Sequence, residues 1–269
     1  MTVVRLGAVG YLNARPLVYG LERSSRFTIR YDVPSECARL LHARDVDLGL
    51  IPSIEYLRGP RPYAIVPGPA VVSRGPVASV ALYTTKAIRD VRSIALDTSS
   101  RTSVALVSVL CSKLFGIQPR LESRGPDLQR MLAACDAALI IGDTALFLDT
   151  PVEKIDLGEA WDTLTGLPFV YAFWAGWPDA VASEDVASLQ QARDAGVAHS
   201  DDIARAYVGG DPGRAAIAAR YLRDNIQYAL GPEEFEGLRL FYRYAAELSL
   251  VPPFGGELQT YHADAAERR

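Results

Sequence analysis

The chain has 269 residues, 49% hydrophobic and 22% charged, an ordinary globular composition with room for one large domain or two moderate ones. A formal charge of −4 with no Lys/Arg run excludes the broad basic surface that tracks phosphate backbones, so nucleic acid is not an expected partner. No basic segment followed by a long apolar one opens the chain, and no stretch reaches the roughly 18 to 20 apolar residues that span a bilayer. The expectation is a cytoplasmic protein with no membrane partner.

Short β-rich runs alternate with amphipathic helical runs, the pattern of α/β layers built on largely parallel sheets. Val3–Val9 reads as a strand, followed by a short helix over Arg15–Leu21 with Pro16 in its first turn and Asn13 as a cap at the junction. Phe27–Val33 reads as the next strand, Ser35–Ala43 as a helix capped by Ser35, and Asp47–Ile51 as a strand running into a helical turn at Ser53–Leu57. Tyr63–Pro67 and Val77–Thr84 read as strands, the second long enough to cross between two bodies.

A second α/β set is predicted next. It begins with strand Ser93–Leu96, helix Thr102–Phe115, strand Arg120–Glu122 and helix Asp127–Ala134. Strand Ala137–Ile141, a short helix at Thr144–Leu148, strand Val152–Asp156 and helix Glu159–Leu164 complete it. Pro168–Trp174 is a second long apolar strand, and helices are expected over Asp185–Ala195, Asp201–Tyr207, Pro212–Tyr228 and Pro232–Glu247. Two long strands bracketing a central unit predict a discontinuous first lobe, residues 1–82 plus 175–269, and an inserted second lobe, residues 83–174. The hinge is expected near Ser79–Tyr83 and Tyr171–Trp174. Ligands of such folds sit in the crevice beyond the carboxyl ends of parallel strands.

The strongest local signal for that crevice is Leu96-Asp-Thr-Ser-Ser-Arg-Thr-Ser103, where five hydroxyls and the N–H groups of a helix start meet at a strand end. Such a turn is an anion site. Taken singly, Ser100 or Thr102 is a helix cap, and Arg101 is either a carboxylate contact or an exposed arginine beside the cap. Ser53 in Ile51-Pro-Ser-Ile-Glu-Tyr56 repeats the theme, as does Gly142-Asp143-Thr144, where Asp143 is an N-cap first and a ligand contact second. Ser79, a lone polar residue in an apolar strand, either lines the cleft or bonds neighbouring backbone. Trp161, Trp174, Trp177, Phe169, Tyr171 and Phe173 read as core or cleft wall. The three cysteines, Cys37, Cys111 and Cys135, read as reduced core thiols. His42, His199 and His262 fall in helical or tail segments, which argues against a histidine-based triad. Neither metal-ligand spacing nor a glycine-rich nucleotide loop occurs, so no metal or cofactor is expected.

Together, GAVGYLNARPL, DTSSRTSVAL, LIIGDTAL, LTGLPFVYAFWAG and YRYAAELSL, spaced over nearly the whole chain, resemble the MqnA family, the chorismate dehydratases of the futalosine route to menaquinone. The resemblance implies a two-lobed fold like the type II periplasmic solute-binding proteins, with the ligand in the cleft. It also implies a hydro-lyase that converts chorismate to 3-[(1-carboxyvinyl)oxy]benzoate and water without a cofactor. A sister family with the same fold, MqnD, makes a dihydroxynaphthoate. Its members carry a histidine near the position of Gly142-Asp143 and lack the YLN triplet, which favours the dehydratase. The sister synthase and a non-catalytic binding protein for an anionic metabolite are the alternatives.

Chorismate is a dianion, so under this resemblance the site supplies two sets of donors. Ser100, Thr102 and Ser103 hold one carboxylate, the Asn13 turn and Ser53 face the other end, and Tyr11, Arg101, Gly142 and Asp143 are further substrate-binding candidates. With no histidine in the motifs, the substrate's own enolpyruvyl carboxylate is expected to take the C3 proton while Asn13 and Ser79 orient it and the leaving hydroxyl. Glu55 or Asp97 as general base is the rival assignment.

Overall fold

The computed structural model describes residues 3–261, so His262 lies outside the described residues. The chain opens with β1 (Val4–Val9), β2 (Phe27–Asp32), helix α1 (Pro34–His42), β3 (Leu48–Pro52) and β4 (Ala64–Ser73). Next come β5 (Val80–Thr84), β6 (Ser93–Asp97), α2 (Arg101–Leu110), β7 (Arg120–Arg124) and α3 (Leu128–Ala134), then β8 (Ala137–Ile141), α4 (Gly142–Leu146), β9 (Glu153–Asp156) and α5 (Leu157–Thr165). The final part holds β10 (Phe169–Gly176), α6 (Ser183–Ala198), α7 (Ser200–Tyr207), α8 (Pro212–Arg220), β11 (Gln227–Leu230) and α9 (Pro232–Glu247).

The strands form two sheets, ordered β11-β4-β10-β3-β1-β2 and β7-β6-β8-β5-β9. In each sheet the first strand after a crossing between lobes runs against its neighbours: β10 is antiparallel to β3 and β4, and β5 is antiparallel to β8 and β9. The other core pairs, β1 with β2 and β3, and β6 with β7 and β8, are parallel. Every residue of β10 is buried, as befits an apolar strand covered on both faces. By contrast β7, RLESR, is largely exposed and charged, which protects the edge it forms from pairing with another chain.

This sheet membership moves the expected boundaries. Pro168–Trp174 was expected to cross between lobes, yet Phe169–Gly176 pairs wholly inside the first sheet, with Ser73 opposite Phe169 and Leu48 opposite Gly176. Val80 and Ala81 already pair with Ile141 and Ile140 of the second sheet. The crossings are therefore the irregular segment 74–79 and the stretch from α5 to β10, in place of cuts at 83 and 174. Both lie outside the strands because ladder hydrogen bonds hold the strands flat in one sheet or the other.

Other expectations shift for local reasons. Asn13 does not cap a helix: it lies inside a 3₁₀ segment, Leu12–Val18, whose cap position is Tyr11 and has no side-chain cap bond. Ser35 is the second residue of α1, behind Pro34 at the first turn, so its predicted capping role falls to an uncapped Val33. The long helix predicted over Pro212–Tyr228 stops at Arg220, passes through a π segment, Tyr221–Asn225, and gives way to β11. The aromatic wall is core as expected, with Trp161, Phe169 and Phe241 packed edge to face. All three cysteines are buried free thiols.

Candidate functional site

The cleft between the sheets is built from the carboxyl ends of β1, β3, β6 and β8, where the topology leaves a crevice. Its polar lining consists of Tyr11, Asn13, Ser79, Ser100, Ser103 and Tyr171, and the rest of the wall is aliphatic side chain, proline and Gly142. Every lining group carries hydroxyl, amide or apolar atoms and none carries a formal charge. The cavity measures about 50 Å³, the space of a handful of water molecules at roughly 10–15 Å³ each.

Ser79 is held with care. It is 1% exposed, and the residue before it, Ala78, adopts a left-handed φ of 63°. That conformation costs about 1–2 kcal/mol for a residue with a Cβ, and three contacts hold it. The Asp156 carboxylate accepts from Val77 N at 3.0 Å and Ala78 N at 2.7 Å, and Lys154 Nζ donates to Ala78 O at 2.7 Å. Asp156 also caps α5, so one carboxylate joins the first crossing to the start of the second. The Ser79 hydroxyl then lies 2.6 Å from the hydroxyl of Tyr221.

On the opposite wall, α2 begins at Ser100, which caps it by accepting from Ser103 N, while the two hydroxyls lie 3.0 Å apart. The helix N-terminus with its two serines faces the cleft and favours a negative ligand group. Tyr11 reaches across to Ser99 Oγ at 3.4 Å. Burial of the Tyr11 phenol pushes its pKa upward, so it serves as a neutral donor.

Five predicted residues, Tyr11, Asn13, Ser79, Ser100 and Ser103, come together here, with Gly142 in the wall. Gly142 has its own N–H committed to Ser79 O at 2.8 Å, so it shapes the wall and is not a free donor. The remaining four do other work. Ser53 is fully buried and donates to Val170 O at 2.8 Å, and Thr102 Oγ1 accepts from Ile54 N at 3.2 Å, so these two hydroxyls seal the seam between the lobes. Arg101 turns away to Glu55, 2.7 Å distant. Asp143 accepts from Leu12 N at 3.1 Å and from the Tyr207 hydroxyl, which satisfies it inside the protein. Burial raises the Asp143 pKa above the ordinary value despite those bonds.

The rival bases are also engaged elsewhere. Glu55 is 1% exposed and meets His42, Arg58 and Arg101. Burial pushes its pKa up, but the His42 hydrogen bond and the two arginine charges outweigh that and hold it below the ordinary range. Asp97 accepts from Ser99 N at 3.0 Å and orders the DTSSRTS turn. Tyr171 reads as core or cleft wall in PFVYAFW and lines the cleft, whereas Tyr221, an ordinary position in a helical run, escaped sequence reasoning. No local signal separates a buried tyrosine that faces a cleft from one that faces a core.

Two sheets of matching strand order around an uncharged, donor-lined cleft define a two-lobed protein of the periplasmic-binding-protein type. Solved structures agree. A protein of Archaeoglobus fulgidus superposes with a TM-score of 0.73 at 16% identity, over 92% of this chain and 98% of that one. The periplasmic aliphatic sulphonate binding protein SsuA from Escherichia coli superposes with a TM-score of 0.62 at 16% identity, over 94% of each. The chain belongs to the menaquinone biosynthesis family, whose model matches residues 4–247. It is 32% identical over 268 residues to a chorismate dehydratase from Thermus thermophilus, covering 93% of this chain and 97% of that protein.

Proposed function

We propose that this chain is a chorismate dehydratase, a hydro-lyase that releases water from chorismate to form 3-[(1-carboxyvinyl)oxy]benzoate. The observation that carries the mechanism is the cleft lining: neutral donors converge there, while the nearby carboxylates Glu55, Asp97 and Asp143 are bound to other groups. Membership in a menaquinone biosynthesis family and the likeness to a dehydratase support the substrate.

A dianion suits such a cleft, because hydroxyls, amides and a helix N-terminus supply hydrogen bonds without a competing charge. The C3 proton passes to the substrate's own enolpyruvyl carboxylate, the C4–O bond breaks, and the leaving hydroxyl takes that proton from the carboxylate to depart as water. The ring becomes aromatic, which drives the step. Asn13 and Ser79 orient the carboxylate and the leaving oxygen, while the Ser100–Ser103 turn holds the ring carboxylate. Because the cavity is smaller than chorismate, substrate access requires the lobes to part and then close over it.

Incubation of the purified protein with chorismate, followed by chromatography and absorbance, tests this directly. Appearance of the aromatic enol ether is the expected result. Binding without turnover would identify a binding protein, and turnover of a cyclic futalosine derivative in its place would identify the sister synthase.

A further inference from the structure

We propose that Tyr221 is a positioning residue for the dehydration, its phenol aiming the Ser79 hydroxyl into the cleft. The proposal rests on the functional reading above and adds a residue to it.

Three remote segments meet at this phenol. Asn13 follows β1, Ser79 ends the first crossing, and Tyr221 opens the π segment that extends α8. The Ser79 and Tyr221 hydroxyls are 2.6 Å apart, and Asn13 comes close to the same phenol. Tyr221 is 2% exposed, and burial pushes its pKa far up, so the phenol keeps its proton throughout. Burial alone does not explain the contact, since nearby Tyr228 is also buried and its hydroxyl has no hydrogen-bond partner among the described residues.

A phenol offers one donor and two acceptor lone pairs, so the Ser79–Tyr221 bond has two possible polarities. If Ser79 donated to Tyr221, the serine would present only lone pairs to the cleft, a poor match for a dianion. If Tyr221 donates to Ser79, the serine proton is free to meet the leaving C4 oxygen. Tyr221 thus fixes which way the Ser79 hydroxyl points, without itself touching substrate.

Steady-state kinetics of Tyr221→Phe test this. The expected result is a kcat lower by about 10- to 100-fold with KM within about 3-fold, the signature of an interaction that matters in the transition state. In a Ser79→Ala background the same substitution should lower kcat no further, since the phenol acts through Ser79. A wild-type kcat in Tyr221→Phe, or an equal loss in both backgrounds, overturns the proposal. Should Tyr221→Phe fail to fold by circular dichroism, 3-fluorotyrosine at position 221 keeps the ring and alters donor strength. A changed kcat at constant KM is then expected, and an unchanged kcat overturns the proposal. Wild-type protein that turns over no chorismate fails the functional reading and this proposal together, whereas active wild type with an unaffected Tyr221→Phe fails this proposal alone.

Discussion

The backbone of Gly142 lies beneath the ring of Tyr11. Gly142 has a left-handed φ of 65°, and a Cβ placed on it would come within 3.0 Å of Tyr11 Cε2. This contact lets the turn after β1 lean on the turn after β8 across the cleft. Gly142→Ala should destabilise the fold by about 1–2 kcal/mol through the backbone alone. It should also displace Tyr11 and raise KM. Thermal melting and steady-state kinetics on one preparation check both, and an alanine variant with wild-type melting and KM would mean the ring is free to move aside.

Asn13→Asp places a carboxylate where a dianion must bind. Activity should fall by about 10²–10³-fold, the scale of losing one aligned donor in a transition state, with weaker substrate binding besides. Isothermal titration with chorismate and initial rates separate the two losses. An active variant of ordinary affinity would show that Asn13 does not orient the substrate.

Asp156→Asn tests the anchor of Ser79. The carboxylate accepts from the backbone of Val77, Ala78, Gly158 and Glu159. Hydrogen bonds to a charged acceptor are worth about 1.5–3 kcal/mol each, so the variant should lose about 2 kcal/mol in denaturant titration. Because Ala78 is then less firmly held in its left-handed conformation, kcat should fall more than KM rises. A loss of stability with unchanged kcat would show that Ser79 keeps its place without the anchor.

The Glu55 cluster makes a pH prediction. Its folded pKa lies below the ordinary 4.5, so its contribution to stability is complete above that value and is lost as pH falls toward the folded pKa. Glu55→Gln should flatten the acid side of the melting-temperature profile below pH 4.5. At neutral pH it should cost about 3 kcal/mol, the low end for breaking a buried pair, because Arg58 and Arg101 remain partly open to solvent. If Glu55 were the catalytic base, kcat per folded molecule would collapse. It should change little.

Much of the fold was legible because strand and helix periods are local properties. Ser53–Leu57, Ala137–Ile141 and Pro232–Glu247 came out at their observed bounds. The crossings were misplaced because a long apolar strand such as PFVYAFW reads alike whether it bridges lobes or sits inside a sheet. Hydroxyl-rich turns marked Ser100 and Ser103, which line the cleft, but the same rule gathered in Ser53 and Thr102, whose hydroxyls face the interlobe seam. Whether a serine points into the cleft or the seam depends on a rotation of one residue along α2, which composition does not encode. Tyr221, Tyr207 and Asp156 act across 64 to 142 residues of sequence, and no nearby pattern announces such partnerships.

The place of β10 governs the order in which the molecule can assemble. It lies between β3 and β4, and those two strands have no ladder with each other. As the chain leaves the ribosome, β4 waits without that partner until residue 176 has emerged, by which time β5 to β9 have all been made and can pair among themselves. The inserted lobe is free to fold first and the enclosing lobe must finish around it, so the cleft comes into being only as the last sheet closes.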